Sequence, residues 1–274
     1  MSDGRLYVCA TPIGNLGDVS ERLRETLVNA DVVYAEDTRR TSILLSHVGA
    51  KTKVRSLFTG NEKARTRELV NDVEQGKSVV LVSDAGMPTI SDPGAEAIRT
   101  VRGRGLALTV IPGPTAVVSA LTLSGFGGDR FSFEGFLPRK GKERKRRLQV
   151  IAAEDKPVVL FASPHRLATD LQDLLETNDD DRGVAVAREL TKLHEELWVG
   201  TLAEAVIQWS GEVKGEITLV LDGRAAEPMS PDTAIAEARS LVASGASRSE
   251  AARMVAQDSG VSKRVIYQAL IGAR

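Results

Sequence analysis

The stretch SVVLVSDAGMPTISDPG, residues 78–94, decides the fold. Its first six residues form a short aliphatic, largely β-branched run that reads as a fully buried strand, and the run stops at Asp84-Ala85-Gly86. A turn follows. Pro88 and Pro93 remove backbone donors and fix φ, while Gly86 and Gly94 permit positive φ or a close ligand approach. Asp84 and Asp92 are thereby placed at the carboxyl end of a strand, where open α/β sheets bind ligands. The competing reading is local, with Asp84 closing an Asx turn and Asp92 capping a helix that starts at Pro93 and runs to Val101.

Outward from this stretch the chain alternates. Upstream, strands are expected at 6–10, 31–35 and 54–58, with helices at 19–29, 38–47 and 61–75. Downstream come a helix from Pro93, a strand at 106–111, the turn Pro112-Gly113-Pro114 and a small-residue helix at 115–124. Such alternation predicts a mostly parallel sheet covered on both faces. Gly125, Gly127 and Gly128 then form a joint before a strand at 130–136, which places a domain boundary there.

The second half is patterned differently. Strands at 157–162, 183–188, 195–199 and 216–222, with helices at 164–176 and 202–209, include strand pairs without a helix between them. A more antiparallel sheet is expected. After the linker AAEPMSP, helical stretches at 232–244, 247–259 and 262–271 each open on an Asp or Ser cap. They have the layout of a small helix-turn-helix bundle, which suits a nucleic-acid reader or a helical cap on a neighbouring subunit. The expected domains are 1–125, 126–223 and 224–274.

Composition narrows the function classes. The 274 residues are 42% apolar with a formal net charge of −1, so a globular core is easily supplied and a polyanionic or membrane partner must be met by a local patch. Cys9 is the single cysteine, which excludes an intramolecular disulfide and suits a reducing, cytoplasmic setting. The opening MSDGR has no secretory pattern, and no apolar run approaches the ~20 residues of a membrane span, so neither export nor insertion is expected. One local patch stands out. Between Arg139 and Arg147 lie seven basic residues, which read either as solvated surface or as a mobile phosphate-contacting loop.

Generic ligand signatures are missing. The first strand is followed by Ala10-Thr11-Pro12-Ile13-Gly14 instead of the glycine fingerprint for dinucleotides. Gly76-Lys77-Ser78 precedes a strand and reads as a helix terminus instead of a phosphate loop. His47, His165 and His194 lack ligand spacing, and there is no G-x-S-x-G elbow, so neither a metal nor serine-hydrolase chemistry is expected.

What remains is a set of strand-end motifs: TPIGNLGD from Thr11, AEDTR from Ala35, SDAGMP from Ser83, EGFLPRK from Glu134, ARELTK from Ala187 and KGE from Lys214. Together they resemble the tetrapyrrole-methylase superfamily of S-adenosylmethionine-dependent enzymes. Within it they resemble the group that methylates the ribose 2′-hydroxyl of a cytidine in small-subunit ribosomal RNA. The resemblance implies an α/β, two-domain, class III methyltransferase fold, here with a small C-terminal helical extension, a cofactor in the cleft between the domains, and a homodimer.

Carried over residue by residue, it implies cofactor contacts from Ile13, Asp84, Met87, Thr115 and Ala116 in the first domain and from Leu190, Gly215 and Glu216 in the second. A ribose hydroxyl is a weak nucleophile while protonated, and Glu36, Asp37 and Asp92 are the candidate general bases, unranked by sequence. Glu36-Asp37-Thr38 also reads as a plain helix N-cap. Arg39 and Arg40, with Arg139, Lys140, Lys142, Arg144 and Lys145, are the candidate RNA contacts, while Phe136 and Trp198 read as core in preference to base-stacking platforms. Two other readings share the scaffold: carbon methylation of a tetrapyrrole, and a ribosome-binding module without turnover.

Overall fold

The computed structural model describes residues 4–224 and 229–272, so most of the expected AAEPMSP linker lies outside the described residues. Two compact units divide at Gly223. Among the described residues no helix is long and apolar enough to cross a membrane.

The first unit contains two sheets. One is built from β1 (Arg5–Cys9), β2 (Val32–Ala35), β3 (Lys53–Ser56), β4 (Ser78–Val82) and β5 (Ala107–Ile111), in the order β3-β2-β4-β1-β5 with every pair parallel. Residues 32–35 and 79–82 are wholly buried, as central parallel strands must be when helices cover both faces. Helices α1 (Glu21–Val28) and α2 (Thr38–Val48) bury Leu23, Leu27, Leu44, Leu45 and Val48 against one face. The other face takes Leu69, Val70 and Val73 from α3 (Glu62–Glu74) and Ala97 and Val101 from α4 (Ala95–Gly103).

Helix starts follow capping chemistry, with one correction. The Ser20 side chain accepts the Leu23 N–H, and Asp37 accepts the Arg39 N–H. At α4, however, Asp92 does not cap and the helix begins later than expected. Gly94, at φ 118°, is the N-cap, and the Glu62 carboxylate from α3 accepts the N–H groups of Gly94 and Glu96 at 2.9 and 3.4 Å. That borrowed carboxylate supplies the anionic cap, and Asp92 is left for another task.

Helix α5 (Ala116–Ser124) leaves the first sheet and packs Val117, Ala120 and Leu121 on the second. The second sheet comprises β6 (Ser132–Phe136), β7 (Val158–Ala162), β8 (Gly183–Arg188), β9 (Glu196–Thr201) and β10 (Ile217–Leu221) in the order β6-β7-β10-β8-β9. Only β6 and β7 pair in parallel; the other pairs are antiparallel. Helices α6 (Lys142–Ala153), α7 (Leu167–Leu175) and α8 (Leu202–Gln208) close its far face over Leu148, Ile151, Leu167, Leu171 and Leu202.

The basic run is not a loop, since residues from Lys142 onward belong to α6. The helical period puts position 144 on the same stripe as Leu148 and Ile151, and Arg144 is accordingly 5% exposed. Its guanidinium donates to Asp170 at 2.8 Å and to the Pro138 carbonyl at 2.9 Å, and it also pairs with Asp173. Arg144 therefore leaves the set of candidate RNA contacts: a buried cation needs these partners and is held by them.

The second unit is a trio of helices, α9 (Pro231–Ala243), α10 (Arg248–Ser259) and α11 (Lys263–Ile271). Ser230, Ser247 and Ser262 cap them in turn, with Pro231 in the first turn of α9. Alanines 234, 238, 251 and 252 let the helices close over Val255, Ile266 and Leu270.

Candidate active site

The site grows from two loops that part company. After β1 the chain passes to α1 on one face of the sheet, and after the neighbouring β4 it passes to α4 on the other. Loops that diverge in this way leave a crevice at the strands' carboxyl ends. Before diverging they are stapled: Thr11 donates its N–H to the Gly86 carbonyl at 2.9 Å, and Gly86 returns one to Thr11 at 3.1 Å. Gly86 takes φ 76°, and a Cβ there would lie 3.4 Å from Ile13.

Above this staple opens a cavity of about 420 Å³. Ile13, Asp84, Met87, Thr115 and Ala116 line it from the first sheet, and Leu190, Gly215 and Glu216 from the second. All the residues named from sequence as cofactor contacts are thus brought together. The cavity has two ends, set by the strand order of the second sheet. At one end β8 and β10 approach the β1 loop, so closely that a Cβ on Gly14 would lie 2.4 Å from the Lys192 side chain. At the other, β6 and β7 approach the loop after β4, with a Cβ on Gly135 falling 3.3 Å from the Ser91 hydroxyl.

Besides Glu216, the carboxylates Glu36, Asp84 and Asp92 share the cavity with Arg40. Asp84 is fixed twice over: one oxygen accepts the Asp37 N–H at 2.8 Å, and the other lies 3.8 Å from the Arg40 guanidinium. Its structural role and its place in the cavity wall therefore coexist. Burial, then the charges of Asp92 and Asp84, push the Glu36 carboxyl above its ordinary range. Burial also raises Asp92, with the Asp84 charge adding to it.

Asp37 is different. It is not among the cavity-lining residues, and its carboxylate caps α2 while pairing with Arg39 at 2.8 Å. The hydrogen bonds from Arg39 bring its pKa down to about 2. A group so stabilised as an anion is a poor proton acceptor, and Asp37 drops out of the candidate bases.

Backbone strain marks the same place. Among the described residues four non-glycine positions have positive φ: Thr89 (74°) and Ser91 (66°) after β4, and Glu189 (52°) and Thr191 (67°) after β8. Two of them are β-branched, for which this region is strongly disfavoured. The second strained turn is pinned by Glu189, which accepts the Lys192 ammonium and the Glu216 N–H, both at 2.8 Å. Lys192 also reaches Glu216 at 3.1 Å. Gly215, at φ 97°, makes room for Glu189, since a Cβ would sit 2.5 Å from its side chain.

Sequence reasoning set Phe136 in the core in preference to a stacking platform, but it is 57% exposed and lines the cavity. Trp198 does pack against the core. Ser91, Phe161, Ser163, Pro164 and Thr218 also line the cavity and were not anticipated. The signal available was Ser163-Pro164 immediately after β7, a strand end with a turn residue. Arg139, Lys140, Lys142 and Lys145 are exposed on the segment that follows Phe136, and Arg39 is exposed beside Asp37.

Comparison with known proteins agrees with this geometry. Residues 5–206 match the family described as tetrapyrrole (corrin/porphyrin) methylases. The chain is 43% identical over 269 residues to the ribosomal RNA small subunit methyltransferase I of Synechocystis sp., covering 97% of this chain and 96% of that one. It is 45% identical over 222 residues to the Thermotoga maritima protein of that name, covering 81% and 99%. Identity to the Mycobacterium tuberculosis protein of that name is 42% over 277 residues, covering 100% and 97%.

Solved structures with the same fold include uroporphyrin-III C-methyltransferase from Thermus thermophilus, complexed with S-adenosyl homocysteine (TM-score 0.59, 18% identity, covering 80% of this chain and 97% of that one). Diphthine synthase is another, at TM-score 0.61 and 18% identity over 80% and 89% of the two chains.

Proposed function

From a chain that belongs to the tetrapyrrole methylase family, and within it to the ribosomal RNA small subunit methyltransferase I group, we propose S-adenosylmethionine-dependent 2′-O-methylation of a cytidine ribose in small-subunit ribosomal RNA. The observation that carries this reading is the shared cavity in which every expected cofactor contact meets the carboxylates of Glu36 and Asp92.

The residues present fit the cofactor. A cavity of about 420 Å³ is the size of a small-molecule site, and its apolar lining of Ile13, Ala187, Leu190 and Ile217 suits an adenine face. Asp84 sets a negative charge where a cationic methionine end would lie. When bound, S-adenosylmethionine supplies a methyl group already activated by its sulfonium, so the protein's work is alignment and exclusion of water.

Glu36 and Asp92 take the other task. A carboxylate with raised pKa is the stronger base, and accepting the ribose proton as the new O–C bond forms lowers the barrier by ~3–5 kcal/mol, the usual worth of such assistance. Arg40 sits beside them as a cation for a phosphate. Arg139, Lys140, Lys142 and Lys145 offer a sequence-independent hold on the RNA backbone. The sheet edge at β9, which exposes Leu197 and Val199 next to a 92% exposed Leu193, is the surface we assign to a homodimer. We place the protein in the cytoplasm, with its substrate.

The decisive test is mass-spectrometric mapping of ribose methylation on unmodified small subunits incubated with the protein and S-adenosylmethionine. One new 2′-O-methylcytidine is expected; absence of methyl transfer overturns the reading.

A further inference from the structure

We infer that Phe136 is the stacking platform for the base of the target nucleotide, turned into the cavity by a bulge in β6. The inference rests on the proposed RNA 2′-O-methylation.

In a regular strand, residues three apart face opposite sides of a sheet. Phe133 and Phe136 do not. Against β7, Phe133 pairs with Val159, Gly135 with Leu160 and Phe136 with Phe161, so Glu134 is an extra residue without an opposite number. One inserted residue re-aims everything beyond it. Gly135 takes φ 63° to allow this, and Glu134 goes to the α6 side of the sheet, where it pairs with Arg147.

Both phenylalanines therefore meet Phe161, with ring centroids at 5.1 Å for Phe133 and 5.5 Å for Phe136. Phe133 is partly buried there against the α5 side of the sheet, but Phe136 stays 57% exposed. A phenylalanine so largely in water, on a strand bent to put it there, is unexplained by packing.

Its surroundings name the occupant. Phe136 and Ile90, itself 40% exposed, line the end of the cavity that also holds Ser91 and Asp92, away from the Ile13–Leu190 end. Arg139 and Lys140 follow three and four residues later, both exposed. An aromatic face beside a candidate base and a run of cations suits one nucleotide: base on the ring, ribose at the carboxylates, phosphates on the basic residues. To bring its 2′-hydroxyl into a concave cavity a nucleotide must leave its neighbours, and the extruded base then needs a new stacking partner. Aromatic stacking is tolerant of base identity, so Phe136 supplies affinity and position, with selection among bases left to polar groups.

The test compares wild type with Phe136→Leu, Phe136→Ala and Phe136→Tyr on small-subunit substrate, measuring kcat/KM for methyl transfer and, separately, Kd for S-adenosylhomocysteine. Leu keeps apolar bulk without a ring, and the exposed position leaves the fold unaffected. Expected is a loss of about tenfold or more for Leu and Ala, near-wild-type transfer for Tyr, and unchanged cofactor affinity in all three. A fluorescent cytosine analogue at the target position should be quenched on binding wild type and not the Leu variant. Leu transferring as fast as wild type overturns the inference alone; no transfer by wild type overturns the inference and the function it rests on together.

Discussion

The Asp84 carboxylate accepts the backbone N–H of Asp37 at 2.8 Å, so the turn after β4 holds the first turn of α2 in place while facing the cavity. The two jobs can be separated by mutation. Asp84→Asn keeps an acceptor oxygen but loses the charge, and should weaken S-adenosylmethionine binding by about tenfold, or 1.4 kcal/mol, at nearly unchanged Tm. Asp84→Ala loses the acceptor as well, exposing an unpaired N–H worth about 1–3 kcal/mol. At about 2–4 °C per kcal/mol for a unit of this size, its Tm should fall visibly. Calorimetry and thermal unfolding of the two variants measure this directly.

Glu36 and Asp92 should govern the acid limb of the rate profile. Their pKa values are raised, chiefly by burial, so methyl transfer should fall as pH drops through a range higher than that of a free carboxylate. Glu36→Gln or Asp92→Asn, whichever removes the base, should cost about 10²–10⁴ in kcat and flatten that limb. The same shifts carry a sign for stability. A carboxyl whose folded pKa is raised favours the folded state at low pH and loses that contribution as pH rises through the folded value. Both amide variants should therefore match or exceed wild-type Tm at pH 8, with the gain vanishing in acid.

Neutralising Arg139, Lys140, Lys142 and Lys145 together should weaken RNA binding and reduce its salt slope by up to about 0.7 per lost single-strand phosphate contact, with cofactor affinity unchanged. Arg144→Ala should behave in the opposite manner. It leaves the buried Asp170 with only the more distant Arg166, at 3.6 Å, a loss that costs up to about 3–5 kcal/mol, and thermal unfolding should report it before any RNA assay does.

Gly215→Ala should loosen only the end of the cavity formed by β8 and β10. The added methyl meets Glu189 and the backbone is held at φ 97°, so the contact from Glu189 to the Glu216 N–H must give way. S-adenosylhomocysteine affinity is expected to drop by about tenfold, with RNA binding by filter retention unaffected.

Much of this site could be seen in the chain itself. The β-branched runs at 79–82 and 32–35 with abrupt polar turns after them mark buried parallel strands, and the ends of such strands converge by geometry. What stayed hidden depends on partners distant in sequence. Asp92 looked like a helix cap because Glu62, which stabilises the start of α4 in its place, comes 32 residues before Gly94. Arg144 looked like one cation among seven because Asp170 and Asp173 lie on another helix. Phe136 looked like core because a strand's alternation is read without its bulge, and one extra residue inverts the side on which a ring emerges.

Thr89, Ser91, Glu189 and Thr191 hold unfavourable torsions. Each such residue raises the energy of its turn by about 1–3 kcal/mol, so the rest of the fold must already be rigid enough to keep them there. The turns at the two ends of the cavity thus stand as fixed walls, and a wall held by the fold draws little of a ligand's contact energy into ordering chain.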